Sequence, residues 1–236
     1  MKTSSNHNDI YIGRNIGQEL IKAIKSAEKS VKIVSPYLSA SYVKELVELS
    51  KKGKDVTLIT CDKIIGEGRY SDLTIKDLVK ETRIDEPNKK KSRKRGLFLG
   101  LILILSSLVL FSFSFSFQIV LFVSLGLFVI AVCILIYYYF KKPYRLVYDP
   151  IFRIKVFDST SGAKPWSTEL IHSKIYIIDE KLAYLGSANF SYSGFKMHYE
   201  SLIEIQDPRA IRDISKEVEH LYFSKDLREK PIEEWI

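Results

Sequence analysis

The sequence predicts an α/β fold interrupted by a two-helix transmembrane hairpin. Three observations carry that expectation. Short apolar runs alternate with amphipathic segments on both sides of the chain's middle. The 45 residues from Gly96 to Phe140 carry no charged side chain. Cations flank that run, in "KKKSRKR" (Lys89–Arg95) before it and at Lys141, Lys142 and Arg145 after it.

In the first half, Ile10–Ile12 is a short apolar run. Ile16–Lys29 reads as a helix with Ile16, Leu20, Ile21, Ile24 and Ala27 on one face. "VKIVSPYL" follows as a strand ended by Pro36, and Ser41–Lys52 is a second amphipathic helix stopped at Gly53. Val56–Thr60 is a buried-type strand. Ser71–Thr82 is expected to be a third helix capped by Ser71 and Asp72, with Ile84–Asn88 a polar linker into the basic run.

About 20 apolar residues cross a bilayer, so the charge-free run has room for two spans, Leu97–Phe113 and Ile119–Phe140. "SFSFS" (Ser112–Ser116) and Gln118 supply the turn. The competing reading, two buried core helices, fits poorly with so long an exclusion of charge. Basic flanks on both sides place both termini and the soluble residues in the cytoplasm, with Tyr137, Tyr138 and Tyr139 as an aromatic belt. The N-terminus, "MKTSSNHNDI", lacks the apolar core of a signal peptide. Cys61 and Cys133 show neither disulfide nor metal-ligand spacing, which suits a reducing compartment. The net charge is +8, and nine of the positive charges lie in the two flanks, leaving the remainder near −1. A broad phosphate-tracking surface is therefore not indicated. Anionic lipid headgroups are the natural partners of the flanks.

Beyond the hairpin, Phe152–Asp158 is an alternating strand and Ser159–Thr168 a loop by composition. "KIYIID" and "LAYLGS" form two strands joined at Glu180–Lys181, Ser201–Gln206 is another strand, and Pro208–Phe223 a closing helix. Neither half has enough strands for its own sheet. Residues 1–95 and 141–236 are thus expected to form one discontinuous domain, with 96–140 inserted into it.

The chemistry concentrates in His172–Asn189, where His172, Lys174, Asp179, Gly186, Ser187 and Asn189 follow the spacing H-x-K-x4-D-x6-G-S-x-N. Residues two apart on a strand share a face, so His172 and Lys174 converge, and Ser187 with Asn189 repeats the geometry next door. Ile175, Ile177 and Ile178 are left for the core. Such a group suits a phosphoryl centre. Lys174 supplies charge, Ser187 and Asn189 donate to equatorial oxygens, and a neutral His172 imidazole attacks phosphorus to give a phosphohistidine. Asp179 is expected to brace the site and not to touch substrate.

This pattern resembles the HKD motif of the phospholipase D superfamily, and the alternating first half is similar to that superfamily's domain. The resemblance implies a phospholipase D-like mixed sheet flanked by helices. It also implies a glutamate beyond the asparagine; Glu200, eleven residues after Asn189, would orient the His172 ring. The implied reaction needs two histidines and neither metal nor cofactor. The chain holds one motif, so the expected partner is a second copy, in a C2 homodimer that shares one active site across its two-fold axis. Phospholipid is the first expected substrate, by hydrolysis or phosphatidyl transfer. A membrane-tethered nuclease acting on RNA or DNA is the alternative, and a non-catalytic membrane scaffold the third. His198 reads as structural, and His7 and His220 as surface residues. Trp166, beside Pro165, lines a substrate entrance, packs, or is exposed.

Overall fold

A computed structural model of the chain describes residues 1–4, 8–61, 78–113, 118–158 and 171–235. By contacts it divides into two units, residues 1–80 with 148–236, and residues 81–147.

The first unit is built on an eight-stranded mixed sheet. Its strands are β1 (Lys2–Ser4), β2 (Asn8–Gly13), β3 (Ser30–Val34), β4 (Asp55–Cys61), β7 (Arg153–Phe157), β8 (Ile175–Ile178), β9 (Leu182–Gly186) and β10 (Glu200–Ile205), in the order β1-β2-β10-β9-β8-β3-β4-β7. The pairs β3–β4 and β4–β7 are parallel and the rest antiparallel. β4 is buried at every residue from Val56 to Cys61, the continuous apolar run expected of a parallel strand covered on both faces.

Two helices cover one face of the sheet. Helix α1 (Gln18–Lys25) buries Leu20 and Ile24, and α2 (Ala40–Lys51) buries Val43, Leu46 and Leu49. Both pack with Val31, Ile33, Tyr176, Ile178 and Leu202. On the other face α5 (Pro208–Phe223) buries Ile211 and Val218 against Val34, Ile59, Phe157 and Ile177. The Asp207 carboxylate caps α5, accepting from the Arg209 and Ala210 amides at 3.1 and 2.8 Å, with Pro208 at the first helical position. Alternation along β8 is strict. Tyr176 and Ile178 face one core and Ile177 the other, so Tyr176 joins the core beside the isoleucines expected there.

The second unit contains α3 (Pro87–Ser112) and α4 (Gln118–Phe140), both long and apolar enough to cross a membrane by length and composition. Small residues face inward, Gly96, Gly100 and Ser107 on α3 and Ser124 and Ala131 on α4, while Phe98, Leu105, Phe122 and Ile136 point outward. At the base of the pair the Arg93 guanidinium donates to the Tyr138 and Tyr139 carbonyls, 3.1 Å each, satisfying acceptors in the last turn of α4.

Two local expectations fail here. The helix proposed for Ser71–Thr82 does not extend through its C-terminal part. Residues 71–77 lie outside the described residues, and Val79–Thr82 belong to β5 (Val79–Asp85), which pairs with β6 (Tyr144–Pro150). The alternating, β-branched "VKETRI" suits a strand, but its partner lies beyond the apolar run, out of reach of a local reading. The linker proposed at Ile84–Asn88 is the end of β5 followed by the start of α3, which runs through the whole basic segment. Pro87 opens that helix, and lysine and arginine propagate it well. Of the turn expected at Ser112–Ser116 and Gln118, Ser112 ends α3 and Gln118 opens α4; Ser114–Ser116 lie outside the described residues, as do the loop at Ser159–Thr168, with Pro165 and Trp166, and His7.

The neck of the insertion is closed. The Ile151 amide donates to the Leu78 carbonyl at 3.0 Å, where β7 begins.

Candidate active site

Strand register sets where the motif residues stand. β8 runs antiparallel to β3 and β9, with Ile175 opposite Val34 and Leu185. The residues just before β8, just after β9 and at the start of β10 therefore share one end of the sheet. The carboxyl ends of β3, β4 and β7 are there too, the usual position for a ligand crevice in sheets with parallel strands. His172, Lys174, Ser187, Asn189 and Glu200 all lie at this end.

His172 is exposed and Lys174 is buried, with 5 % of its surface accessible. The Lys174 ammonium lies 3.2 Å from His172 Nδ1 and donates to the His172 carbonyl at 2.6 Å. Burial lowers the Lys174 pKa from the ordinary lysine value, while the Glu200 carboxylate acts in the opposite sense. A charged Lys174 donating to Nδ1 leaves the proton of a neutral imidazole on Nε2. In that tautomer Nε2 has no free lone pair to attack phosphorus, and the ring could serve as a general acid only after taking up a second proton. For Nε2 to attack phosphorus, Nδ1 must carry the proton and Lys174 must turn away.

Glu200 does not bond to His172, contrary to the role expected for it. Its Oε2 accepts a short hydrogen bond from the Ser187 hydroxyl, and its Oε1 lies 3.7 Å from His198 Nδ1. Ser187 also accepts from the Ser201 amide at 3.0 Å, so its hydroxyl is held at both lone pair and proton. His198, read from sequence as structural, is exposed and stands beside this carboxylate. Its position two residues before Glu200, on the approach to β10, is the signal that could have placed it there.

Asn189 presents an anomaly. Its Oδ1 is buried without a hydrogen-bond partner among the described residues, although the expectation was an amide donating to a phosphoryl oxygen. A buried orphan acceptor is costly, and either an amide flip or a donor from outside the subunit relieves it.

Three features, of which the sequence pattern marks only Gly186, hold these residues in place. The buried Tyr176 hydroxyl donates to the Ala188 carbonyl at 2.6 Å, and burial pushes that phenol well up, so it remains a donor. Gly186 admits β10, because a Cβ there would lie 2.0 Å from the Ser201 carbonyl oxygen. The segment after Asn189 is fixed to the β3–α2 loop, where the Ser35 hydroxyl accepts from the Phe190 amide at 2.9 Å and Ser39 Oγ from the Tyr192 amide at 2.8 Å.

Asp179 does not join the cluster. It stands at the other end of β8, roughly 16 Å along the strand from Lys174 at about 3.3 Å per residue. Asp179 and Glu180 both have positive φ, 55° and 54°, in the three-residue turn Asp179–Lys181, where the Lys181 amide donates to the Ile178 carbonyl at 3.0 Å. The Asp179 carboxylate accepts from the amides of Glu28 (2.9 Å), Lys29 (2.7 Å) and Ser30 (2.9 Å). Burial raises its pKa, but those three amides outweigh burial and hold it below the ordinary value. Its bracing acts on the start of β3, not on the site. Among the described residues, no group of three or more His, Cys, Asp or Glu side chains is disposed to hold a metal ion.

Comparison with known proteins bears on the family and the fold. A family model described as "Cardiolipin synthase, PLD-like domain" matches residues 20–101 and 135–222. NucT from Helicobacter pylori is similar in structure, with a TM-score of 0.51 and 15 % identity over 94 % of this chain and 98 % of that one. The phospholipase D family member Nuc from Salmonella typhimurium follows at 0.46 and 14 %, with the same coverage. Phosphatidylserine synthase from Haemophilus influenzae scores 0.42 at 14 % identity, over 96 % of this chain and 41 % of that one. No curated protein sequence matches the chain. At such identities the likeness to NucT is one of fold.

Proposed function

We propose, from the premise that this chain belongs to the phospholipase D-like family its sequence matches, that it is a membrane-anchored phosphodiesterase acting on phospholipids through His172. The observation that carries the reading is the gathering of His172, buried Lys174, Ser187 and Glu200 at one end of the sheet. α3 and α4 supply the anchor. Lys174 neutralises phosphate charge, and the Ser187 hydroxyl can donate to an equatorial oxygen only by releasing its bond to Glu200. An imidazole nitrogen attacks phosphorus and the bond to the leaving oxygen breaks, with a second imidazole giving that oxygen its proton. Water or an alcohol, deprotonated by the second imidazole, then breaks the phosphorus–nitrogen bond.

The second imidazole is assigned to His172 of a partner copy across a two-fold axis. The second ring enters the first step as an imidazolium, gives its proton to the leaving oxygen, and is then the neutral base that takes the proton of water or alcohol. Exposed Tyr192, Met197 and Tyr199, 57, 59 and 75 % accessible, lie close in sequence to Asn189 and Glu200 and offer apolar surface for that contact.

The test is cleavage by the purified chain, in lipid nanodiscs with EDTA, of labelled phospholipid and of a labelled single-stranded oligonucleotide. Phospholipid cleavage lost in His172→Ala supports the reading, and cleavage of the oligonucleotide alone overturns the lipid assignment.

A further inference from the structure

We propose that a groove at the base of the α3–α4 pair, lined by Asn88, Lys91, Ser92, Arg95, Leu99 and Tyr138, binds the phosphate of an anionic phospholipid. The proposal rests on the membrane reading of the hairpin and adds a lipid site separate from the catalytic residues.

The cations of the basic run are not equivalent. Arg93 is held by the carbonyls of Tyr138 and Tyr139, Lys89 pairs with Glu86 at 3.0 Å, and Lys90 lies 3.9 Å from Asp85. From the other helix, Lys141 stacks over Tyr137 and Tyr138, 5.6 and 5.3 Å from the ring centres, and reaches Ser92 Oγ at 3.5 Å. Lys91 and Arg95 differ. They stand one turn apart on the same face of α3, both exposed, and among the described residues neither has a hydrogen bond or ion pair. Like charges at this spacing repel, and one anion between them would relieve the repulsion.

The groove they line is about 450 Å³, in the range of small-ligand sites. Gly96 makes it possible, since a Cβ there would meet the Tyr138 ring 2.2 Å away; the bare backbone lets the ring close the floor. Ser92 and Asn88 add a hydroxyl and an amide as donors beside the two cations. An arginine fork with a lysine point charge suits phosphate oxygens. Leu99 lies one turn deeper, where the chain has lost all charge, so one wall is cationic and the other apolar. A glycerophosphate headgroup with its acyl chains has that same division, and basic pockets beside membrane helices take such headgroups.

The full chain in detergent micelles is titrated with phosphatidylglycerol or phosphatidylcholine, and retained lipid is counted by native mass spectrometry. The expected result is a preference for phosphatidylglycerol of roughly tenfold or more, falling to near parity in Lys91→Gln/Arg95→Gln. It should persist in Lys94→Gln/Lys142→Gln, which removes equal charge outside the groove. Equal losses in the two variants would mean diffuse attraction and overturn the site. Displacement of the lipid by millimolar inorganic phosphate or by an oligonucleotide would overturn the lipid assignment. Flotation with neutral phosphatidylcholine vesicles separates the two levels. A chain that does not float ends the membrane reading and this proposal with it, whereas one that floats without preferring phosphatidylglycerol ends this proposal alone.

Discussion

The two ends of the β8–β9 hairpin carry the same sequence motif and are built to opposite purposes. At the turn, the Asp179 carboxylate meets three backbone amides between 2.7 and 2.9 Å. At the open end, Lys174 is buried against the histidine before it, Ser187 donates to Glu200, and among the described residues the Asn189 carbonyl oxygen is buried with no partner. Satisfied polar groups stabilise a fold. Groups left crowded and incompletely paired are held there at a cost, and such costs concentrate where chemistry is done. The motif therefore combines a folding signal and a reactive one, and variants at its two ends should separate them.

The largest effect is expected at the open end. His172→Ala should lower turnover by at least about 10³-fold, as loss of a nucleophile does, with an unchanged urea midpoint because the ring is exposed. A marked loss of stability would break the division. Lys174→Met keeps the buried stem and removes the charge. It should cost about 10²-fold in turnover while the circular dichroism spectrum stays native, and full activity would remove Lys174 from the proposed chemistry.

Gly186→Ala crosses the division. The new methyl group collides with the backbone of β10, so about 2–3 kcal/mol of stability should go, and turnover should fall with it as Ser187 shifts. Activity per folded molecule, measured alongside chemical denaturation, reads both.

Asp179→Ala should cost about 2 kcal/mol and leave turnover per folded molecule intact. The same carboxylate gives a pH signature. Its folded pKa lies below the ordinary value, so its stabilisation is complete above the unfolded value near 4 and disappears as pH falls through the folded one. The stability difference between wild type and Asp179→Asn should thus shrink between about pH 5 and pH 3. A difference that grows on acidification would contradict the geometry.

The smallest effect is expected at Glu219, which shares the Lys32 ammonium with Glu180 at the turn end. Arg153, foremost, and Lys32 hold its pKa down to about 2 against burial. Glu219→Gln should cost about 1 kcal/mol at neutral pH, a cost that declines below about pH 4, again read from urea midpoints.

What the sequence disclosed follows the range of the interactions involved. The β8–β9 hairpin, α2 and α5 were legible because turn chemistry, periodicity and caps are local. So was the motif, whose spacing is strand geometry. The identity of β5 was hidden because its partner, β6, lies some sixty residues away across the apolar run. Roles within the site were harder still. Nothing near Asp179 in sequence announces that its carboxylate serves Glu28, Lys29 and Ser30, about 150 residues earlier. Nor does the distance from Asn189 to Glu200 reveal that the carboxylate takes Ser187 and approaches His198 while leaving His172 to Lys174.

The closed neck at Leu78 and Ile151 also bears on modularity. A loop whose ends are already joined by a backbone hydrogen bond adds little closure entropy to the domain that carries it, because that cost grows only slowly with length. Residues 81–147 can then be exchanged for a tight turn between Lys80 and Tyr148, or for another hairpin, without disturbing strand order or register. On this reasoning, replacing residues 81–147 should leave His172, Lys174, Ser187 and Glu200 where the sheet puts them.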